Sequence, residues 1–175
     1  MRAPSSSRRR RHRQQAASSL AAGHASAPAY SSPTRWRGKY LFDNAVGFLA
    51  GARHLVSASD PHSREIFLQL IGCAVELALK SYLHFAGWDD DRCRAEVRHD
   101  LVKALAAAER LGCHPRHPDT RKLTRILSPY YRCHRTRELA RIEPTPLSSE
   151  RALRAADGLL DDVWATVAAH PRSGG

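Results

Sequence analysis

Residues 66–83, IFLQLIGCAVELALKSYL, carry apolar side chains around about 240° of a helix turned at 100° per residue. Glu65, Gln69, Glu76 and Lys80 share the remaining arc with Gly72. A surface helix is apolar over little more than a third of its circumference, so this one requires neighbours on several sides. The polar seam also makes it a poor membrane span, which needs about 20 predominantly apolar residues. The expectation is a core helix inside a helical bundle.

The flanking sequence supplies its partners. Trp36–Val56 reads as a first helix, with Phe42, Ala45, Val46, Leu49, Ala52 and Val56 on one face and Leu41, Phe48 and Leu55 widening it. Gly47 and Gly51 lie one turn apart, either to admit a close neighbour or simply as weak helix residues. Asp60-Pro61 reads as N-cap and first residue of the core helix, and Gly87 as its stop. Arg94–Leu111 predicts a single third helix, with Val97, Leu101, Ala104, Leu105, Ala108 and Leu111 along one arc and His99 pointing away from it. Asp119 caps a fourth helix that Pro129 kinks or breaks before it continues through Tyr130, Tyr131 and Leu139. Ser148 or Ser149 starts a last helix carrying Leu153, Ala156, Leu160, Val163, Trp164 and Val167. No stretch alternates as a strand would, so the fold class is all-α: an antiparallel bundle of about five principal helices.

Charge divides the chain. The formal net charge is +11, but nine of the 28 basic residues precede Asp43, the first acid. The remainder carries 19 basic against 17 acidic residues, close to neutral. Residues 1–34 are rich in Ser, Ala, Arg and Pro with hardly any large apolar group, a composition that predicts a disordered basic tail. The bundle is expected over 35–170, and residues 171–175 as a second disordered end. No apolar run follows the arginines, so a secretory signal is excluded; phosphate binding, a transit sequence and a solvated tail all suit the RRRRHR cluster. The four cysteines read as reduced thiols.

Several groupings carry chemistry. Glu76 and Lys80, four residues apart, form either a solvated ion pair or a half-buried charge cluster facing His99, Asp100 or Arg132 from adjacent helices. Asp100 suits a helix start, and His99 offers an imidazole ring for acid or base work. Tyr130, Tyr131, Arg132, His134, Arg135 and Arg137 make the densest aromatic–basic patch outside the tail, suited equally to stacking RNA bases or to packing tyrosines with solvated arginines. Cys113 and His117 have a C-x3-H spacing, but Cys133 and His134 are adjacent and no C-x2-C is present, so no metal is expected. Phosphate-binding glycine loops, HExxH and GxSxG are absent, which removes support for NTPase, zinc-protease and serine-hydrolase chemistry.

Over residues 40–165 the chain resembles the HEPN superfamily, small helical bundles of prokaryotic defence and toxin–antitoxin systems. AVELALKSYL supplies Glu76, Leu79 and Lys80, and RHDLVKALAAAERLG supplies His99, Asp100, Leu101 and Leu105. The YYRCHRTREL stretch sits where relatives carry a tyrosine followed by an arginine-rich turn. The resemblance implies a cytoplasmic, metal-independent and cofactor-free module that binds or cleaves RNA, forms a homodimer, and in toxin systems pairs with a nucleotidyltransferase or another antitoxin. It further implies a catalytic Arg and His separated by a short interval. Arg94 and His99, four residues between them, fit that interval, although Ala95 replaces the polar residue expected after the arginine.

Overall fold

Within the 175-residue chain, a computed structural model describes residues 33–169. The first helix, α1, runs Pro33–Arg53 and α2 runs Pro61–Phe85. They are followed by α3 (Asp90–Glu96), α4 (Leu101–Arg110), α5 (Thr120–Tyr131), α6 (Thr136–Ala140) and α7 (Ser149–Ala169). No strand occurs among the described residues. The expected basic tail lies outside them except for Pro33 and Thr34, which already belong to α1.

Helix α2 packs against each of the other six described helices. Its interior face, with Phe67, Ile71, Ala74, Val75, Ala78, Leu79 and Leu83, is almost wholly removed from water. By length and composition it could cross a membrane, contrary to the sequence expectation, yet most of its apolar window is buried by other helices. The start follows the cap logic: the Asp60 carboxylate accepts the Ser63 amide at 2.9 Å and Pro61 occupies the first turn. At the other end Gly87, at φ +93°, lets the Trp88 amide reach the Leu83 carbonyl.

Burial on α1 is narrower than its apolar pattern. Leu41, Ala45, Leu49 and Ala52 are buried, whereas Val46 and Phe48 are exposed. Close approach to α2 occurs at Gly38, where an added Cβ would meet Phe85 and the Ser81 carbonyl, and not at Gly47, which faces open space. Gly51 makes only an ordinary contact with Leu70.

The expected third helix is two. Residues 97–100 interrupt it: Arg98 takes a left-handed φ of +45° and Asp100 starts α4 anew by accepting the amides of Val102 and Lys103. Periodicity survives the break because Val97 and Leu101 still point inward, which is why the pattern reads as continuous. Pro129 sits in the last turn of α5, which ends two residues later, so Leu139 belongs to the separate α6. Asp119 stands at the α5 start without capping it; its carboxylate binds the Arg151 guanidinium of α7 through two bonds, at 2.6 and 3.0 Å. Ser148 Oγ accepts the Arg151 amide at the head of α7. On α7, Ala156, Leu160 and Val163 are buried as expected, Trp164 is exposed, and the Val167 side chain lies outside the described residues.

Candidate functional site

The polar seam of α2 leads to a cluster built from three parts of the chain. Glu76 and Lys80 stand one turn apart, with Lys80 Nζ 2.5 Å from Glu76 Oε1. Although Glu76 is charged, it is only 6 % exposed. A carboxylate so placed needs its lone pairs filled, and they are. The Tyr131 hydroxyl, from the last residue of α5, donates to Oε2 at 2.7 Å, and His99 Nδ1 lies 3.1 and 3.2 Å from the two oxygens. Burial alone would disfavour the ionised form, but Lys80, Tyr131 and His99 together outweigh it and hold the Glu76 carboxyl below the usual range. The ionised carboxylate can only accept, so a hydrogen on His99 is assigned to Nδ1; whenever the ring is neutral, Nε2 carries the lone pair. Burial and the facing Glu76 carboxylate push the Tyr131 hydroxyl far above the phenol range, making it a permanent donor.

Tyr131 reaches this position because Gly72 has no side chain. A Cβ on Gly72 would fall into the Tyr131 ring. The hydroxyl also lies 3.5 Å from Cys73 Sγ.

His99 is placed by the break between α3 and α4, and that break is pinned from α5. Ser128 Oγ accepts the Leu101 amide at 3.0 Å and donates to Asp100 Oδ1 at 3.0 Å, while Arg132 reaches Asp100 Oδ2 at 3.2 Å. For Asp100, burial is outweighed by the Lys103 amide, the Ser128 hydroxyl and Arg132, so its carboxyl also lies low. Asp100 thus caps α4 and ties it to α5. The backbone on either side of His99 is therefore held firmly, while its side chain stays 55 % exposed.

The His99 ring meets Tyr131 edge-on and lies 6.1 Å, centre to centre, from the exposed ring of His134. His134 occupies an unusual backbone site. At the ends of α2 and α4 one amide bonds the carbonyl five residues back and the preceding residue is left-handed: Gly87 at φ +93° and Gly112 at φ +99°. At the end of α5 the same pair of bonds forms, Arg135 N to Tyr130 O at 2.8 Å and His134 N to Tyr131 O at 3.1 Å, but the left-handed residue is His134 at φ +55°. A side chain there costs roughly 1 kcal/mol relative to glycine. Among the described residues the only other left-handed non-glycine is Arg98, beside His99. Both strained positions flank one patch of surface, a distribution associated with functional sites.

Of the partners expected for Glu76 and Lys80, His99 meets the Glu76 carboxylate, whereas Asp100 and Arg132 pair with each other and Asp100 also with Ser128. Arg94 stands apart from it: it is 74 % exposed and paired with Asp91 at 2.8 Å. The aromatic–basic patch divides. Tyr131 is taken into the interior, Tyr130 packs partly against the core, Arg135 pairs with Glu138, and Arg132, His134 and Arg137 remain outside. Buried Tyr131 offers no face for stacking a base. Ser128 and Gly72 were not anticipated; a glycine inside so apolar a helix is itself a sign of close packing. Cys93 and Cys113 are buried, which pushes both thiols up to about 11. No three His, Cys, Asp or Glu side chains converge as a metal set among the described residues.

Because Glu76 and Asp100 have lower pKa values folded than unfolded, they contribute stability above the ordinary carboxyl range and lose it as pH falls through the folded values. Urea unfolding followed below about pH 4 should show steep destabilisation, and Glu76→Gln should flatten that dependence while lowering stability at neutral pH.

Comparison with known protein families, curated proteins and solved structures finds no match to this chain.

Proposed function

We propose that this is a HEPN-like helical protein that acts on RNA in a cytoplasmic defence or toxin–antitoxin setting, cleaving the strand without a metal at the Glu76–His99 centre. The observation that carries the reading is a half-exposed histidine whose Nδ1 is held by a buried carboxylate, leaving Nε2 open to a ligand. That is the arrangement a general base requires: fixed tautomer, fixed orientation, free lone pair. His99 would take the proton of a ribose 2′-hydroxyl as that oxygen attacks the adjacent phosphorus. Arg132, 53 % exposed on its side chain and ion-paired to Asp100, the residue after His99, would meet phosphate charge, a role for which solvent-directed Arg94 is less suited.

The test is incubation of the purified chain with single-stranded RNA in EDTA. The wild type should cleave, and His99→Ala should lose about 100-fold or more in rate. His99→Ala withdraws a donor from a buried carboxylate and should lose about 1–3 kcal/mol, so circular dichroism is recorded alongside to check that the variant stays folded. Cleavage unchanged in His99→Ala would remove the histidine from the chemistry.

A second reading, a non-catalytic interaction module that pairs two copies or holds an antitoxin such as a nucleotidyltransferase, is favoured by a different surface. Phe42 and Val46 of α1 with Leu160 and Trp164 of α7 line a cleft of about 340 Å3, and Trp36, Tyr40 and Phe48 are exposed on α1. A wild type inert toward RNA yet dimeric in sedimentation would favour this reading.

A further inference from the structure

His99 as a general base handles one proton transfer, whereas breaking an RNA phosphodiester through the 2′-hydroxyl needs two. One group must take the proton from the attacking oxygen and another must supply one to the departing 5′-oxygen. We infer that His134 is the second group, the acid that protonates the departing 5′-oxygen beside His99.

Three observations place it there. The two ring centres lie 6.1 Å apart at an interplanar angle of 59°, near contact, close enough for one phosphodiester lying over both exposed rings to meet each of them. Both rings are exposed. The chain also spends a left-handed position on His134 where the equivalent ends of α2 and α4 use glycine, so the ring is placed here against the local backbone preference. The charged and titratable groups around the pair are Glu76 and Lys80 of α2, Asp100 at the head of α4, Tyr131 at the end of α5 and Arg132 just beyond it.

The step balances. His99 Nε2 takes the 2′-hydroxyl proton, the 2′-oxygen forms a bond to phosphorus, the bond from phosphorus to the 5′-oxygen breaks, and protonated His134 gives that oxygen its proton. The products are a 2′,3′-cyclic phosphate and a 5′-hydroxyl, and the two rings return to their starting states by proton exchange with water. No oxidant, metal or co-reactant is consumed. The inference rests on the proposed ribonuclease reading.

His134→Gly is the informative variant, because glycine suits the left-handed site and the protein should melt at a higher temperature than the wild type. On an ordinary RNA oligonucleotide in EDTA, kcat should fall about 100-fold or more with KM changed little. On the same oligonucleotide with sulfur replacing the bridging 5′-oxygen at one linkage, His134→Gly should recover near wild-type cleavage, since a thiolate departs without a proton; His99→Ala should not recover. Wild-type kcat in His134→Gly on ordinary RNA overturns the role of His134 and leaves the ribonuclease reading standing. Equal loss on the oxygen and sulfur substrates assigns His134 to binding or positioning and overturns its role as acid. A wild type that cleaves neither substrate overturns the ribonuclease reading, and this inference with it.

Discussion

Leu79→Ala is expected to lower the free energy of unfolding by about 3–4 kcal/mol, while Ile66→Ala, in the same apolar run, should cost less than about 1 kcal/mol. The contrast follows from where the two side chains end. Leu79 is fully buried in the second half of α2, the helix that touches every other described helix, whereas Ile66 is 39 % exposed near its start. Truncating Leu79 removes transfer free energy and leaves a void that several helices would have to collapse together, so relaxation recovers little. Chemical denaturation of the two variants measures the difference. Similar losses at both positions would mean that α2 is not packed from several sides.

Gly72→Ala should destabilise by about 2–3 kcal/mol, even though alanine is the better helix former by about 1 kcal/mol. The added Cβ meets the Tyr131 ring, which is wedged against α2 with its hydroxyl on Glu76. Either the ring or the helix has to move, and a moved ring withdraws a donor from a buried carboxylate. The sign should reverse once the ring is gone. In a Tyr131→Ala background, Gly72→Ala should become neutral or stabilising, and the double-mutant cycle should return a coupling of about 2 kcal/mol or more. A cycle that closes without coupling would show that Tyr131 does not sit on Gly72.

Most of the bundle is legible in the sequence because its helices are marked at both periodicity and ends. Asp60-Pro61 and Gly87 bracket α2, and Gly112 closes α4 at φ +99°. The break at residues 97–100 is not legible from periodicity, since a short non-helical turn can keep the inward phase. Its local sign is Asp100 directly before an apolar residue, an N-cap pattern inside an otherwise helical run. Asp119 also stands directly before a helix and behaves differently, because Arg151 of α7 competes for its carboxylate. Sequence shows which residues can cap and leaves the winning partner to the tertiary structure.

The candidate site divides in the same way. Glu76 and Lys80 on the seam, with His99 and Asp100 opposite, follow from the narrowness of the polar arc, which leaves few places for those charges. Tyr131 belongs to the same site but reads as surface, because a tyrosine among arginines resembles a stacking patch. Only Gly72, more than fifty residues earlier, allows the ring inside. Arg94 shows the converse: spacing to His99 along the chain does not bring the side chains together when the helix ends between them and Asp91 holds the guanidinium in solvent.

The central claim is that a buried, ionised Glu76 on the core helix gathers Lys80, His99 and Tyr131 into one site. Its most direct test is the 13C NMR titration of the Glu76 carboxyl carbon. The carboxyl should titrate below the ordinary glutamate value of about 4.3 in the wild type and move upward in both His99→Ala and Tyr131→Phe. A wild-type carboxyl that titrates at or above that value, indifferent to both substitutions, would contradict the account.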